Sequence, residues 1–390
     1  ALVGGKDYFS NQWNVATQGG QPTGSSFKPF TLAAAIEQGI NPATMIDCTN
    51  PMTITGGKEL WNFGNTNYGI RSIASATTVS SNTGYYRLAE KVTPAAMNEM
   101  AQRLGANFET QNLPIATLGT ENVTPLDMAK AYATFATGGM RHEAVAVTKI
   151  VDKNGNVVYE APTSDEGERV ISEEVAGAVT KVLRTVFESS DGTAYGMMPT
   201  NGQPVAGKTG TVQEFRGHWL VGYSPQLSCA AWIGSRNYEQ TDEDLTANYL
   251  WRDFMSRALA GTEIVPFPET RDPEYKNAFN TEQKEKYAKE TQEEKDKQLA
   301  AKASAAVGLS LSDAASLLNG YDVSYTEEYS SSVAAGIVIS QSVQNGKIVL
   351  VVSKGPKPVD PTPTPDPTPT PDPDPPPDPD PTPDPPPDGT

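Results

Sequence analysis

The chain has 390 residues, 37% of them hydrophobic and 20% charged, with a formal net charge of −17. An acidic excess with no basic cluster argues against nucleic acid as the partner, and no apolar run approaches the ~18 residues of a membrane helix. Two cysteines and two histidines leave no zinc cluster or disulfide framework, so no metal or other cofactor is expected and the chemistry must come from Ser, Lys, Asp or Glu.

The sequence starts with Ala and carries no signal peptide. Ala1-Leu2-Val3 reads as the end of a strand, so a fragment is expected, with any targeting or membrane segment missing. Phe27–Gln38 (FKPFTLAAAIEQ) is helical, ended by Gly39 and broken by Pro42. Pro29 fits only if that helix begins near Ser25, which puts the proline in its first turn. The segment 77–86 (TTVSSNTGYY) reads as loop between helices, and Leu126–Phe135 as a helix ending at Gly138-Gly139. Three strand-like runs follow, Pro204–Val212, His218–Tyr223 and Leu227–Ile233, joined by short polar turns as an antiparallel meander. Residues 247–259 carry an apolar stripe for packing on that sheet. Helices, a small antiparallel sheet and a covering helix make an α+β fold.

Composition then divides the rest. Residues 1–270 form the first domain, and residues 271–302 are charged and nearly free of large apolar side chains, a solvated helical linker. Residues 303–355 return to globular patterning. Residues 356–390 hold 18 of the 32 prolines and eight Asp, with no Lys or Arg after Lys357, which is an extended, disordered tail.

Three short patterns bear chemistry. Ser25-Ser26-Phe27-Lys28 at a helix start places Ser25 and Lys28 on one face. A serine hydroxyl needs a base beside it, and a desolvated lysine can serve; the helix N-terminus favours the developing alkoxide. A capping serine with a surface lysine is the plain alternative. Ser80-Ser81-Asn82 could supply a proton-passing hydroxyl and a positioning amide, although Ser235-Arg236-Asn237 matches equally and reads better as a strand-end turn. Gly207-Lys208-Thr209-Gly210-Thr211 lies on a strand: Lys208 offers a charge to a carboxylate, Thr209 and Thr211 offer hydroxyls, and Gly210 lets a ligand approach the backbone. A phosphate loop is excluded, because no glycine stands at the required spacing upstream and no helix follows.

The order Ser-x-x-Lys, Ser-x-Asn, Lys-Thr-Gly is that of the penicilloyl serine transferases. The flanks ALVGGKDY (1–8), GSSFKPF (24–30), TLGTENVTP (117–125), MAKAYATFATGG (128–139) and WLVGYSP (219–225) resemble the transpeptidase domain of class A, bifunctional penicillin-binding proteins. The resemblance spans roughly residues 1–260. It implies a β-lactamase/transpeptidase-like fold whose five-stranded sheet here lacks its first strand. It also implies a D,D-transpeptidase in which Ser25 attacks the carbonyl between the last two D-alanines of a peptidoglycan stem peptide. Lys28 would take the proton, Ser80 would relay protons to the leaving D-alanine, and Asn82 would position the peptide. Lys208 and Thr209 would hold the terminal carboxylate, Gly210 would line the strand, and Thr211 would add a hydroxyl. The backbone N–H groups of Ser25 and Thr211 would form the oxyanion hole. The implied partners are stem peptides, nascent glycan strands and β-lactams, with divisome or elongation proteins beyond them. The implied place is outside the membrane of a Gram-positive cell, anchored by a missing N-terminal segment next to a missing glycosyltransferase domain. Thr23 departs from the family's usual proline, and Gly217-His218 from a common Asp-Ala pair.

Residues 303–355 resemble a PASTA module, a helix on a three-stranded sheet, with Val343 in place of the usual proline and a shortened hairpin at Asn345-Gly346. A spacer role is favoured over muropeptide binding. Rival readings are a serine β-lactamase, for which Glu121 is the only nearby carboxylate, a D,D-carboxypeptidase, and a non-catalytic wall-binding protein. A Cys48–Cys229 disulfide is left open.

Overall fold

A computed structural model describes residues 1–358 apart from 6, 8, 10–11, 162–166, 213–214, 236–238, 242–245, 277–291 and 294. The tail from residue 359, and Arg236 and Asn237 of the second Ser-x-Asn match, lie outside the described residues. The chain divides into two units, Ala1–Glu290 and Thr291–Thr390.

In the first unit a 3-10 turn, Gly24–Phe27, runs directly into helix α1, Lys28–Glu37, with Pro29 in its first turn as the sequence requires. Every residue from Lys28 to Ile36 is buried, which marks α1 as a helix inside the core rather than on its surface. Helices α2 (Ile73–Thr78), α3 (Asn82–Val92), α4 (Pro94–Leu104), α5 (Pro125–Ala136), α6 (Glu173–Glu188) and α7 (Ala247–Ala258) follow. The meander is present as strands β1 (Ala206–Thr211), β2 (Gly217–Tyr223) and β3 (Ser228–Gly234), antiparallel in that order.

Strand alternation sorts the sheet's two faces. Trp219, Val221 and Tyr223 join the core around α1, α5 and α6, whereas Leu220 and Ala231 pack with Ala247, Trp251 and Met255 of α7. Trp251 also donates from Nε1 to the Cys229 carbonyl at 3.0 Å. Cys48 and Cys229 are both free thiols. Burial pushes the Cys229 thiol up to about 12.

Two expectations differ. The described residues of segment 1–9 form no strand, and Leu2 and Val3 are 51% and 80% exposed. A hairpin strand is held by its mate, and no described strand lies beside this one. The 271–302 stretch is also not uniform. Residues up to 276 run extended along the first unit, held by Lys181 to Asp272 at 2.7 Å and by the Lys276 amide to the Gly39 carbonyl at 2.8 Å. Residues 295–303 are helical, and Leu299 and Ala303 pack into the second unit's core. Their apolar side chains four apart account for this.

The second unit has helix α8 (Leu311–Leu317) and strands β4 (Asp322–Glu328), β5 (Val338–Gln344) and β6 (Lys347–Ser353). Strand β6 is central, parallel to β4 and antiparallel to β5. The Asn345-Gly346 turn has positive φ at both residues, 52° and 79°, the conformation of a two-residue hairpin loop. Asp296 accepts both turn amides, at 2.8 and 2.7 Å.

Candidate active site

Ser25 sits in the 3-10 turn, one turn before α1 takes over. Its position depends on close backbone contacts that only glycine permits. Gly24 has φ +55°, and a Cβ there would lie 2.8 Å from the Thr211 carbonyl oxygen and 3.1 Å from its nitrogen. That contact sets the Ser25 turn against the end of β1. Tyr132 of α5 donates to the Ser26 carbonyl at 2.6 Å, and Trp219 donates to the Pro22 carbonyl at 2.8 Å. The Ser25 hydroxyl makes no hydrogen bond within the described residues, so it is left for a substrate.

The 77–86 segment is tighter than a loop. Helix α2 ends at Thr78, Ser80 takes the left-handed conformation with φ +61°, and α3 begins at Asn82. A non-glycine residue there is uncommon; it turns Ser80 back between the two lysines. Ser81 caps α3 by accepting from the Gly84 amide at 3.1 Å.

Lys28 and Lys208 are both fully buried, with 0% exposure. The Lys28 ammonium donates to the Ser80 carbonyl at 2.7 Å, to Ser80 Oγ at 3.2 Å and to Asn82 Oδ1 at 2.9 Å. Lys208 reaches the same Ser80 Oγ at 2.9 Å, and also the Thr209 carbonyl at 3.1 Å. Ser80 therefore bridges the two amines. Among the described residues neither lysine has a carboxylate partner. Buried charge without a counter-ion neutralises. Desolvation first, and the neighbouring Lys208 second, hold the Lys28 amine well below the usual lysine range; desolvation brings Lys208 down to about 7. A lowered Lys28 can serve as a base, Lys208 when protonated can hold an anion, and Ser80 Oγ, hydrogen-bonded to both, can pass a proton between them.

The wall of a cavity of about 310 Å³ includes Ser25, Ser80, Asn82, Thr209, Gly210 and Thr211, and Lys28 and Lys208 are tied to that wall through Ser80. All eight residues singled out from the sequence thus converge at this site. Gly210 has a second role besides lining the cavity. Its missing Cβ would lie 2.4 Å from the Thr23 carbonyl oxygen and 3.1 Å from the Ser26 amide nitrogen, so the glycine also lets the Ser25 turn seat on β1. Glu121 accepts from Thr110 at 3.2 Å and is absent from the cavity wall.

Sequence reasoning missed Asn62. Its Oδ1 accepts from the Asn82 amide at 2.7 Å, the Thr83 amide at 3.1 Å and the Ser81 hydroxyl at 3.1 Å. Its Nδ2 donates to the carbonyls of Cys48 and Thr66. It is a second cap for α3, supplied from 20 residues upstream, and no local pattern announces it. Thr193, whose hydroxyl lies 2.6 Å from that of Thr209, was missed for the same reason.

A serine at a helix start, a buried lysine base, a bridging serine and a lysine hook on a strand define a serine acyltransferase that uses lysine in place of histidine. Comparison with known proteins narrows this. The family described as penicillin binding protein transpeptidase domain matches residues 1–256, and the PASTA domain family matches residues 306–354. The chain belongs to the penicillin-binding protein transpeptidase family. It is 35% identical over 298 residues to penicillin-binding protein 1A of Mycolicibacterium smegmatis, covering 69% of this chain and 37% of that protein. The corresponding protein of Mycobacterium tuberculosis is 34% identical over 285 residues, covering 64% and 34%. The chain thus spans roughly a third of the length of these relatives. Among solved structures, the penicillin-binding protein PonA1 of M. tuberculosis superimposes with a TM-score of 0.62 at 32% identity, over 70% of this chain and 76% of that one. PonA1 in complex with penicillin V gives 0.61 at 32% identity, over 68% and 76%. The fold is that of the β-lactamase/transpeptidase class, as the sequence implied.

Proposed function

We propose that this chain is the D,D-transpeptidase part of a peptidoglycan synthase. One observation carries the reading: two buried lysines with no carboxylate partner among the described residues share Ser80 Oγ, which lines the same cavity as Ser25. Ser25 Oγ attacks the carbonyl between the terminal D-alanines while Lys28 takes its proton, and Ser80 delivers a proton to the departing D-alanine amine. The amide N–H groups of Ser25 and Thr211 receive the oxyanion, a contribution of about 2.7–4 kcal/mol per donor in such sites. Lys208 and Thr209 hold the terminal carboxylate, and Asn82 orients the peptide. An amine from a second stem peptide then takes the acyl group, joining two strands of wall. β-Lactams acylate Ser25 in the substrate's place. The absence of Glu121 from the cavity wall favours transfer over hydrolysis.

In this reading residues 1–270 are the catalytic domain, 271–302 a linker, 303–355 a PASTA spacer and 356–390 a wall-spanning tail. The whole protein would work outside the membrane of a Gram-positive cell, beside a glycosyltransferase domain and divisome or elongation partners. Intact mass after incubation with benzylpenicillin tests the central claim. A stable adduct on this chain and none on Ser25→Ala is expected. Rapid turnover of the drug points to a β-lactamase, and no adduct sinks the transpeptidase reading.

A further inference from the structure

The cavity holds two polar groups that the acyl-transfer steps leave unused. His218 is only 5% exposed, yet its Nε2 is buried with no hydrogen-bond partner among the described residues. Thr246 Oγ1 is likewise buried and unpartnered. Both side chains line the same cavity as Ser25. Buried polar atoms are rarely left unpaired, and two in one cavity call for a reason.

Their placement supplies one. Thr211 and His218 are direct cross-strand partners, so their side chains stand on one face of the sheet. That is the face packed by α7, through Leu220, Ala231 and Trp251. Thr246 is the N-cap of α7 but its side chain makes no capping bond, so among the described residues its hydroxyl at the N-terminus of a 12-residue helix is left without a partner. Phe215 stacks on the imidazole at 5.8 Å and meets Phe63 edge-on at 6.0 Å, making an apolar wall. Among the described residues of the cavity wall there is no carboxylate. The surroundings thus favour an oxygen acceptor and disfavour an ammonium.

The register fixes which part of a ligand arrives there. With a terminal carboxylate at Lys208 and Thr209 and the reacting carbonyl at the Thr211 amide, the chain advances about two strand residues, roughly 6.8 Å. The residue before the acyl D-alanine then passes Thr211 towards His218. We propose that His218 Nε2 and Thr246 Oγ1 form a donor-side subsite for a carboxylate or carboxamide oxygen on the side chain of the residue preceding the acyl D-alanine. This rests on the transpeptidase reading above. Desolvation lowers the His218 pKa, so the imidazole is neutral near pH 7 and offers one N–H.

The test uses the full chain and three thioester donors that end in D-alanyl-thioglycolate and differ only in the preceding residue: Glu, Gln or norleucine. Release of thiol reports acylation, and kcat/KM is compared within each protein. The wild type should favour at least one oxygen-bearing donor over norleucine by about tenfold or more, the discrimination a site gains from groups otherwise left unpaired. The Glu and Gln arms separate acid from amide. His218→Leu and Thr246→Val should each pull the ratio towards one, and His218→Gln should restore part of it. A wild-type ratio near one overturns the subsite. Variants that slow all three donors alike also overturn it, because that is a structural effect. Benzylpenicillin labelling of the same wild-type preparation separates the two claims. A labelled protein with no discrimination loses only the subsite, and an unlabelled one loses the transpeptidase reading and the subsite with it.

Discussion

The two units place polar groups in opposite ways. The first buries Lys28, Lys208 and Asn62 completely or nearly so, together with His218 and a run of threonines. Among its described residues the second buries Ala303, Ala306, Ala314, Leu318, Val338, Ile348, Leu350 and Val352 and, of the polar ones, only Ser353. Desolvating an ammonium costs several kcal/mol even after relaxation. A core the size of the first unit's can offset that, whereas eight small and medium apolar side chains cannot. The reactive groups therefore belong to the unit able to hold amines out of water, where desolvation lowers their pKa. The small unit is built for persistence, with polar atoms at its turns and surface.

The largest test of this contrast sets a buried lysine against a buried leucine. Lys28→Ala should lower the benzylpenicillin acylation rate by roughly 10²–10⁴, the range for loss of a positioned base. Leu350→Ala should destabilise the second unit by about 2–5 kcal/mol and leave acylation unchanged. Acylation followed by mass, beside a denaturant melt, reads both. An acylation defect in Leu350→Ala would break the separation of roles.

Asn62→Ala is a smaller and mixed perturbation. It leaves the amides of Asn82 and Thr83 without their acceptor and removes a cap from α3. The expected loss is about 2 kcal/mol, seen as a lower Tm for the first unit only. Acylation should fall by roughly tenfold, because Asn82 Oδ1 helps hold Lys28 in place. A fall in Tm without a fall in rate would make Asn62 a cap and nothing more.

That residue also marks the limit of what the sequence discloses. Ser25, Lys28, Ser80, Asn82 and Lys208 were legible because each sits in a short pattern with its own local geometry: a helix start, an interhelical turn, a strand. The meander was legible from its three apolar runs and turns. Asn62, Thr193 and Thr246 are brought to the site by tertiary packing, and the tripeptides around them (Trp-Asn-Phe, Gly-Thr-Ala and Leu-Thr-Ala) carry no pattern that announces a site; His218 was visible only as a departure from a common Asp-Ala pair. Gly210 was visible in the motif, but its approach to Thr23 and Ser26 depends on tertiary packing that the motif does not carry. The charged linker was misjudged at its edges, where Leu299 and Ala303 are too few to alter composition yet enough to anchor a helix.

The pH dependence of stability should also separate the two units, by the pH window in which each changes. Lys208 is near 7 when folded and near 10.4 in an unfolded chain. Lys28 is displaced in the same direction. Above pH 7 the unfolded chain therefore binds more protons than the folded one, and stability rises with pH, by at most about 1.4 kcal/mol per pH unit for each lysine. Groups displaced the other way close the window. Cys229 at about 12 and the buried phenols of Tyr85, Tyr132 and Tyr223, all raised by desolvation, stay protonated when folded while their unfolded counterparts ionise. Their contribution is lost as pH climbs past about 9–10. The first unit should accordingly gain Tm between pH 7 and 9 and lose it beyond 10. In the second unit, partial desolvation works against Asp296, but hydrogen bonds from Gln292 and the Gly346 and Asn345 amides hold its carboxyl below the usual range. Its contribution is present at neutral pH and is lost only in acid, as pH falls through that lowered value. Calorimetry at pH 3, 7 and 9 distinguishes the two transitions. A first unit whose Tm is flat or falling from pH 7 to 9 would show that its lysines remain charged in the fold, and the Lys28 base would have to be given up.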